Sequence, residues 1–576
     1  MKLDTFFENF GLLADAPNGV QKLREMILQL AVQGKLVPQD PNDQPASVLL
    51  EKIRAEKKQL VKENKIKKGK PLPSIDSDDI PYSVPKGWTW ASLAEIGQIN
   101  PRNELDDETE VSFVPMKLVP TVLGDSVESE IRQWGDIKKG FTHFSEGDVA
   151  LAKITPCFQN RKSAVMRGLK NGFGAGTTEL HIFRPINDLI ISEHVLLYLK
   201  TPKLIREGVS KMTGSAGQKR VPKTYFSETP FPLPPTNEQK RIVVKVDELM
   251  TLCDKLETRK KQVSINCIQL NDASIHKLLT ASESNKFRKH WQRICDNFDL
   301  LYSKPENVNK LRQAILQLAV QGKLVQQDPK DEPASVLLEK IKAEKEQLIK
   351  EKKIKQPKLL PPIKSDETPY AIPDGWEWLR LGLLCETITK GSSPKWQGVN
   401  YVDSRGGILF ITSENVGNYY LKLDKTKYVE EQFNKIEPRS ILKKNDILMN
   451  IVGASIGRTA IFDLEEVTNI NQAVCLIRLL NPNRFFELKY FLYFFNSSVC
   501  IGYMFDKQVD NARANLSMTN ISQFAIPIPP KNEQKRIVAK IDKLMAFCDE
   551  LEASLSKSQT DCDRLMEAAV AGIMAA

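Results

Sequence analysis

A long internal duplication constrains this chain more than any other feature. Residues 20–90 and 308–378 align without a gap at an offset of 288, with 50 of 71 positions identical. VQKLREMILQLAVQGKLV is answered by VNKLRQAILQLAVQGKLV, PASVLLEKIRAEKKQLVKE by PASVLLEKIKAEKEQLIKE, and PKGWTW by PDGWEW. The match reaches upstream, where Asn9, Phe10, Leu12, Leu13 and Pro17 correspond to Asn297, Phe298, Leu300, Leu301 and Pro305. A second repeat, at an offset of 295, pairs PFPLPPTNEQKRIVVKVDELMTLCDKLE (230–257) with AIPIPPKNEQKRIVAKIDKLMAFCDELE (525–552). Between the repeats lie two segments, about 91–225 and 379–520, that share little sequence. A duplicated frame with two divergent inserts suits a molecule that holds two different recognition units at a fixed separation.

The frame reads as helical. From Ile242 the apolar positions run Val246, Leu249, Cys253, Leu256, Val263, Cys267 and Leu270; the second copy gives Ile537, Ile541, Leu544, Cys548, Leu551, Leu555, Cys562 and Leu565. This alternating spacing of four and three, sustained for about four heptads, predicts helices of roughly 40 residues. Thr236 and Gln239 have the spacing of a capping box, and Asn532 takes the capping role in the second copy. The other repeat predicts a helix over 20–33 (308–321) that stops at Gly34 (Gly322), then one starting near Pro45 (Pro333). In chain order a split-helix unit, an insert and a long helix occur twice. Packing of the first long helix on the second split-helix unit would bring the last helix to the first. The expected fold is therefore α/β: two α/β recognition domains joined and spaced by long antiparallel helices, pseudo-two-fold and circularly closed.

The inserts read as α/β because β-rich runs (FVPMKLV, HIFRPI, GILFITSENV, AVCLIRLL) alternate with turns. Each carries one late amphipathic helix, in SEHVLLYLKTPKLIREGV and ELKYFLYFFNSSVCIGYM. The tryptophans that open them, Trp88/Trp90 and Trp376/Trp378, read as docking cores. Domain boundaries follow: 1–90 helical, 91–229 first recognition domain, 230–378 central helical region, 379–524 second recognition domain, and 525–576 helical and paired with the N-terminal segment.

The chemistry of catalysis is missing. No GxxxxGK[ST] phosphate loop occurs, and GASIGR (453–458) lacks its spacing. An aminomethyltransferase would show an FxGxG loop with an Asn/Asp-Pro-Pro-aromatic loop; GFGAG (172–176) stands alone and reads as a turn. Five histidines include no HExxH, and no zinc spacing joins them to the nine cysteines. Those cysteines form no CxxC, which points to reduced cytosolic thiols. MKLDTFFENF lacks the features of a signal peptide, and no apolar run reaches the roughly 18–20 residues of a membrane span. A net charge of +10 tolerates a polyanion and requires any nucleic-acid surface to be a local patch. The chain is expected to bind and organise.

Two unlike inserts, each opened by PxGWxW and closed by PLPP or PIPP followed by xNEQKRIV, resemble the specificity subunit of type I restriction–modification enzymes. FSEGDVALAKITPCF, GTTEL, ITSENV, NDILMNIVGASIGRTAIF and NISQFAIPIPP look like segments of that family's target-recognition domains. The resemblance implies a non-catalytic, cytoplasmic subunit of an adenine-methylating restriction complex, in which each domain reads one half of a bipartite, asymmetric site in double-stranded DNA. It implies helical docking surfaces for two methyltransferase subunits, with restriction/translocase subunits joining them and no membrane contact. No cofactor is expected on this chain; AdoMet, ATP and Mg²⁺ belong to the partners. The long helical segment before the first recognition domain resembles a circularly shifted layout. The stretch from Ile242 to Leu270 spans about 42 Å at 1.5 Å per residue, or roughly 12 base pairs, so unread pairs between half-sites are expected. Rival readings are a fused enzyme with an unrecognised active site and a coiled-coil scaffold without DNA specificity. Methyl transfer by the purified chain, or the absence of any footprint, would identify them.

Arg and Lys suit phosphates and guanine edges, and Asn and Gln suit adenine. Candidate DNA-binding residues on polar loops are Lys153, Gln159, Asn160, Arg161, Lys162, Lys219, Arg220 and Lys223 in the first insert. In the second they are Lys390, Ser392, Lys395, Ser413, Asn415, Arg458, Arg513 and Asn515. No catalytic or metal-binding residue is expected. The helix seam is assigned to Ile242, Val246, Leu249, Leu256, Ile537, Ile541, Leu544 and Leu551.

Overall fold

The computed structural model describes residues 16, 18–67, 71–76, 80–215, 217–356, 359–506 and 515–575. Arg513 and the upstream repeat residues Asn9, Phe10, Leu12, Leu13 and Pro17 lie outside them. The chain divides into two units, 1–263 with 558–576, and 264–557.

In the first unit, the helix Gly19–Val32 ends at Gly34, where φ is +70°. A Cβ there would sit 2.5 Å from Pro85 Cγ, so glycine is required by both torsion and space. Lys35 N–H donates to the Leu30 carbonyl at 3.0 Å and closes the helix end. Gly322 repeats this in the second unit, with φ +67° and Pro373 at 2.3 Å from an added Cβ. The helices Ala46–Lys62 and Ala334–Lys350 start directly after their prolines, as expected.

The long helices run Thr236–Thr280 and Lys531–Ala575, 45 residues each. Their seam residues bury against the split-helix units. Ile242 and Val246, with Leu249 and Leu256 partly covered, join Val20, Leu23 and Ile27. Ile537 and Ile541, with Leu544 and Leu551 partly covered, join Val308, Ile315 and Leu316. The later part of each long helix meets the other copy's short helix: Cys562 and Met566 pack in the first unit's core, and Lys22 pairs with Asp563 at 3.6 Å and Glu567 at 3.1 Å. In the second unit Leu278 packs with Leu318, and Lys310 pairs with Asp272 at 2.5 Å.

Two details depart from the sequence expectation. The heptad seam does not persist, since Val263, Leu270 and Leu565 are about half exposed or more (57, 48 and 63%). One residue beyond Leu270 and Leu565, Asn271 and Met566 are buried instead, as is Leu278 a heptad after Asn271. An unsupercoiled helix drifts about 20° per heptad, which carries one row out of contact and rotates the next row in. The capping box is also absent. Thr236 Oγ1 donates to the Leu189 carbonyl at 2.9 Å, and Gln239 bridges the Ile191 N–H (2.8 Å) and the Pro234 carbonyl (3.0 Å). Gln534 makes the corresponding bridge between Glu487 N–H and the Pro529 carbonyl. These side chains fasten the start of each long helix to the insert that precedes it.

Each insert forms two four-stranded sheets, and the arrangement is shared although the sequences are not. One sheet has the order 97–99, 180–185, 149–152, 163–165 in the first insert and 385–390, 474–479, 447–450, 459–461 in the second, antiparallel throughout. The other is built on a parallel pair, 110–114 with 173–176 and 407–411 with 468–470. The inserts differ in the edge strand: Thr142–Ser145 lies beside 173–176 in the first, and Tyr401–Val402 beside 427–430 in the second. Burial of the Asp148–Arg184 pair (2.8 Å) and the Asp446–Arg478 pair (2.6 Å) ties strand to strand at matching places.

The opening and closing motifs of each insert pair as a two-stranded antiparallel ribbon: Thr89–Ser92 with Pro230–Leu233, and Glu377–Arg380 with Ala525–Ile528. Trp88 and Trp376 are buried beside these ribbons as docking residues. Trp376 Nε1 donates to Glu533 Oε2 at 3.1 Å, and Gln327 Nε2 to Oε1 at 3.0 Å. Gln39 donates to Glu238 at 2.6 Å in the first copy. Burial raises both carboxyl pKa values. Arg241 pairs with Asp43 at 2.7 Å and Arg536 with Asp331 at 2.6 Å, so NEQKR is a latch between long helix and split-helix unit. A lysine completes each attachment. Lys345 Nζ donates to the carbonyls of Gly382 (2.8 Å), Leu383 (3.2 Å) and Cys385 (2.9 Å) at the end of the one-turn helix Leu381–Leu384. Lys57 does the same to Ala94 and to Gly97 (2.9 Å) after Leu93–Ile96.

Candidate nucleic-acid interface

The candidate residues of the first insert gather on two loops held together by backbone hydrogen bonds. Lys153 follows the strand Val149–Ala152, and its carbonyl accepts from Val221 N–H at 2.8 Å. Thr155 N–H donates to the Lys219 carbonyl at 2.9 Å, and Lys153 N–H to that of Glu179 at 2.9 Å. Arg220 grips Glu179 with two nitrogens, at 2.7 and 2.9 Å, and holds its carboxyl pKa below the usual range. Lys153 and Lys223 both act on His181, whose pKa is lowered to about 4 by burial first and by these cations second. Lys219, Lys223, Gln159 and Asn160 are exposed, and Lys153 is half-buried. No side-chain hydrogen bond or ion pair is made by these five among the described residues.

Arg161 and Lys162 have internal work instead. Arg161 has φ +59° and its Nη2 donates to Glu25 of the first helix at 2.6 Å. Lys162 Nζ donates to the Met116 carbonyl at 2.8 Å. Beneath this loop lies Lys200, which the sequence reading passed over. Its Nζ donates to the carbonyls of Thr121 (2.9 Å) and Arg161 (3.0 Å). Burial, then the neighbouring Arg161 charge, lowers its pKa to about 7.

In the second insert the candidates leave adjacent strand ends. Lys390 is opposite Cys475, Asn450 opposite Val474, and Ile411 opposite Ile470, so the segments after 390, 411 and 450 emerge together. Lys390, Lys395 and Arg458 are exposed. Ser392 Oγ accepts from Gln397 Nε2 at 2.9 Å, and the Ser413 carbonyl accepts from Asn450 Nδ2 at 2.9 Å. Asn415 is used up inside its turn: Oδ1 accepts from Thr412 N–H, and Nδ2 donates to the Lys422 and Lys425 carbonyls, each within 3.0 Å. Asn515 bridges to Val452, and its Oδ1 is buried without a partner among the described residues. Arg513 lies outside them.

The sequence reading also missed Trp396, which stands 74% exposed between Lys395 and Gln397. A tryptophan flanked by Pro394 and Gly398 was the available signal, because a turn with those residues projects what lies between them. Among the described residues no cluster of His, Cys, Asp or Glu could hold a metal ion, and no helix is long and apolar enough to cross a membrane.

Comparison with known proteins fits this arrangement. Residues 85–266 and 373–558 each match the type I restriction modification DNA specificity domain. The chain is 42% identical over 564 residues to the type I restriction enzyme EcoAI specificity subunit of Escherichia coli, covering 96% of this chain and 94% of that one. It is likewise 42% identical over 556 residues to the EcoEI specificity subunit of Escherichia coli, covering 94% and 91%. Among solved structures, the chain is similar to the HsdS subunit from Thermoanaerobacter tengcongensis at 18% identity and a TM-score of 0.46, covering 86% of this chain and 98% of that one. With both halves matched and relatives aligned nearly end to end, this chain belongs to the family of type I restriction–modification DNA specificity subunits.

Proposed function

We propose that each recognition domain reads one half of a bipartite, asymmetric site in double-stranded DNA. On this reading the frame helices set the number of unread base pairs and dock two methyltransferase subunits, to which restriction/translocase subunits attach in the cytoplasm. AdoMet, ATP and Mg²⁺ are assigned to those partners. The domains are assigned as 91–229 and 379–524, between helical regions 1–90, 230–378 and 525–576. The observation that carries this reading is one topology built twice with unlike loops: matching sheets and latches hold Lys153, Gln159, Asn160, Lys219 and Lys223 in one domain and Lys390, Lys395 and Arg458 in the other. These side chains, exposed except for the half-buried Lys153, are proposed as the DNA-facing set. Arg161, Lys162, Arg220, Ser392, Ser413, Asn415 and Asn515 are proposed to shape the loops.

Replacing residues 91–229 by the corresponding domain of a relative tests the reading. Methylome sequencing of cells carrying the chimera with its methyltransferase partners should show one half of the motif changed, with the other half and the gap retained. A change in both halves, or in neither, refutes independent reading.

A further inference from the structure

We infer that Trp396 is a base-contacting, specificity-determining residue of the second recognition domain, with DNA as its occupant. This rests on the proposed DNA reading and adds a contact that lysines and arginines cannot supply. Trp88, Trp134 and Trp376 are no more than 6% exposed and Trp291 is 42%, against 74% for Trp396. An indole left in water keeps a large apolar face that a partner can cover.

The turn is built to keep the ring out. Pro394 and Val399 are buried at its two feet, Val399 in a small core with Phe410, Val429 and Phe433. Val399 N–H donates to the Pro394 carbonyl at 2.9 Å, and Trp396 N–H to that of Ser393 at 3.0 Å. Gln397 Nε2 ties Ser392 (2.9 Å) to Glu437 (3.1 Å), and Arg439 holds the other Glu437 oxygen at 3.0 Å. At the entry, a Cβ on Gly391 would lie 1.8 Å from the Ile470 carbonyl oxygen, so the chain is clamped there. The result is a stiff platform whose exposed top carries Lys395 and Trp396.

Charge selects the occupant. Lys390 and Lys395 are exposed on this turn, and Arg439, which pairs with Glu437 beneath it, keeps much of its surface exposed, which suits phosphates beside an apolar contact. An indole among cations can cover a thymine methyl or the face of a loosened base step, as aromatic and apolar side chains do in nucleic-acid complexes. The corresponding segment of the first domain, 100–105 (NPRNEL), has no aromatic residue, and its Arg102 donates to the Phe141 carbonyl at 3.2 Å. The contact therefore belongs to one half-site alone.

The test uses the complex of the full chain with its methyltransferase subunits, and duplexes carrying the methylome-mapped site or each single base-pair change. Trp396→Ala should cut discrimination about 10- to 100-fold at one position of the second half-site. The first half-site, the salt dependence and the melting temperature should be unchanged, and Trp396→Phe should restore most of the discrimination. Lys395→Ala should weaken all duplexes alike and reduce the salt slope by about one. Full discrimination in Trp396→Ala, equal loss on all duplexes, or lost assembly with the methyltransferase subunits would overturn the assignment while the DNA reading stands. A wild-type complex that prefers no sequence overturns both.

Discussion

Replacing Lys345 with methionine should weaken the seat of the second recognition domain. The ammonium donates to three carbonyls at the end of Leu381–Leu384, and the residue is only 8% exposed. Without it these carbonyls lose their donor in a site that water reaches poorly. A hydrogen bond from a charged group contributes about 1.5–3 kcal/mol, but three bonds sharing one ammonium do not add in full. Burial also opposes the charge, as the lowered lysine pKa records, so part of the gain is already offset. The net loss should be about 2–4 kcal/mol, or about 3–7 °C in melting temperature for a unit of this size. Thermal unfolding, with hydrogen exchange followed across 377–390, reads both size and place. Lys345→Gln, able to satisfy one carbonyl, should lose about half as much, and the exposed Lys342→Met should be neutral. Lys57→Met should reproduce the effect in the first unit. Unchanged melting and unchanged exchange in Lys345→Met would refute the argument that this lysine holds the entry helix.

Acid should weaken the first unit selectively. Burial lowers the pKa of His181 and His194 to about 4, against 6.5 unfolded, so between these values the unfolded chain binds more protons. Stability from each imidazole is full above pH 6.5 and falls as pH drops toward 4, by about 2 kcal/mol per residue at pH 5. Urea titrations at pH 7.5 and 5.0 should show it, and His194→Phe should remove about half of the difference; a pH-independent midpoint would contradict it. Asp446→Ala strands the Arg478 guanidinium in a nearly closed site and should cost about 3–5 kcal/mol by chemical denaturation. Arg312 pairs with Asp549 and Glu552, which are 72% and 44% exposed. Arg312→Ala should therefore lose no more than about 1 kcal/mol in the same assay.

The frame was legible because it is written twice. Repetition picked out the helices, Gly34 and Gly322, the prolines at helix starts and the paired tryptophans, each of which depends on local torsion or periodicity. The inserts were legible only as classes of element. Their common sheet order escaped notice because it is carried by backbone pairing and by burial, which many sequences satisfy. Asn415 shows why polar loop residues mislead: a side chain suited to adenine serves its own turn just as well. Thr236 and Gln239 failed as a cap for a similar reason, since a neighbouring domain offered their polar atoms better partners. The shift from Leu270 to Asn271 escaped a strict heptad reading because an α-helix makes a turn in 3.6 residues and not in 3.5. Trp396 was hidden by the habit of assigning tryptophan to cores.

Thr89 lies opposite Leu233, and Glu377 opposite Ile528, so each insert begins and ends at one spot. A segment inserted this way behaves as a cartridge with both terminals on one connector. Recombination that cuts within the two short ribbons can exchange everything between them without altering the length or path of the surrounding helices. New target preferences can thus be acquired wholesale, while the surfaces that assemble the enzyme pass unchanged from one variant to the next.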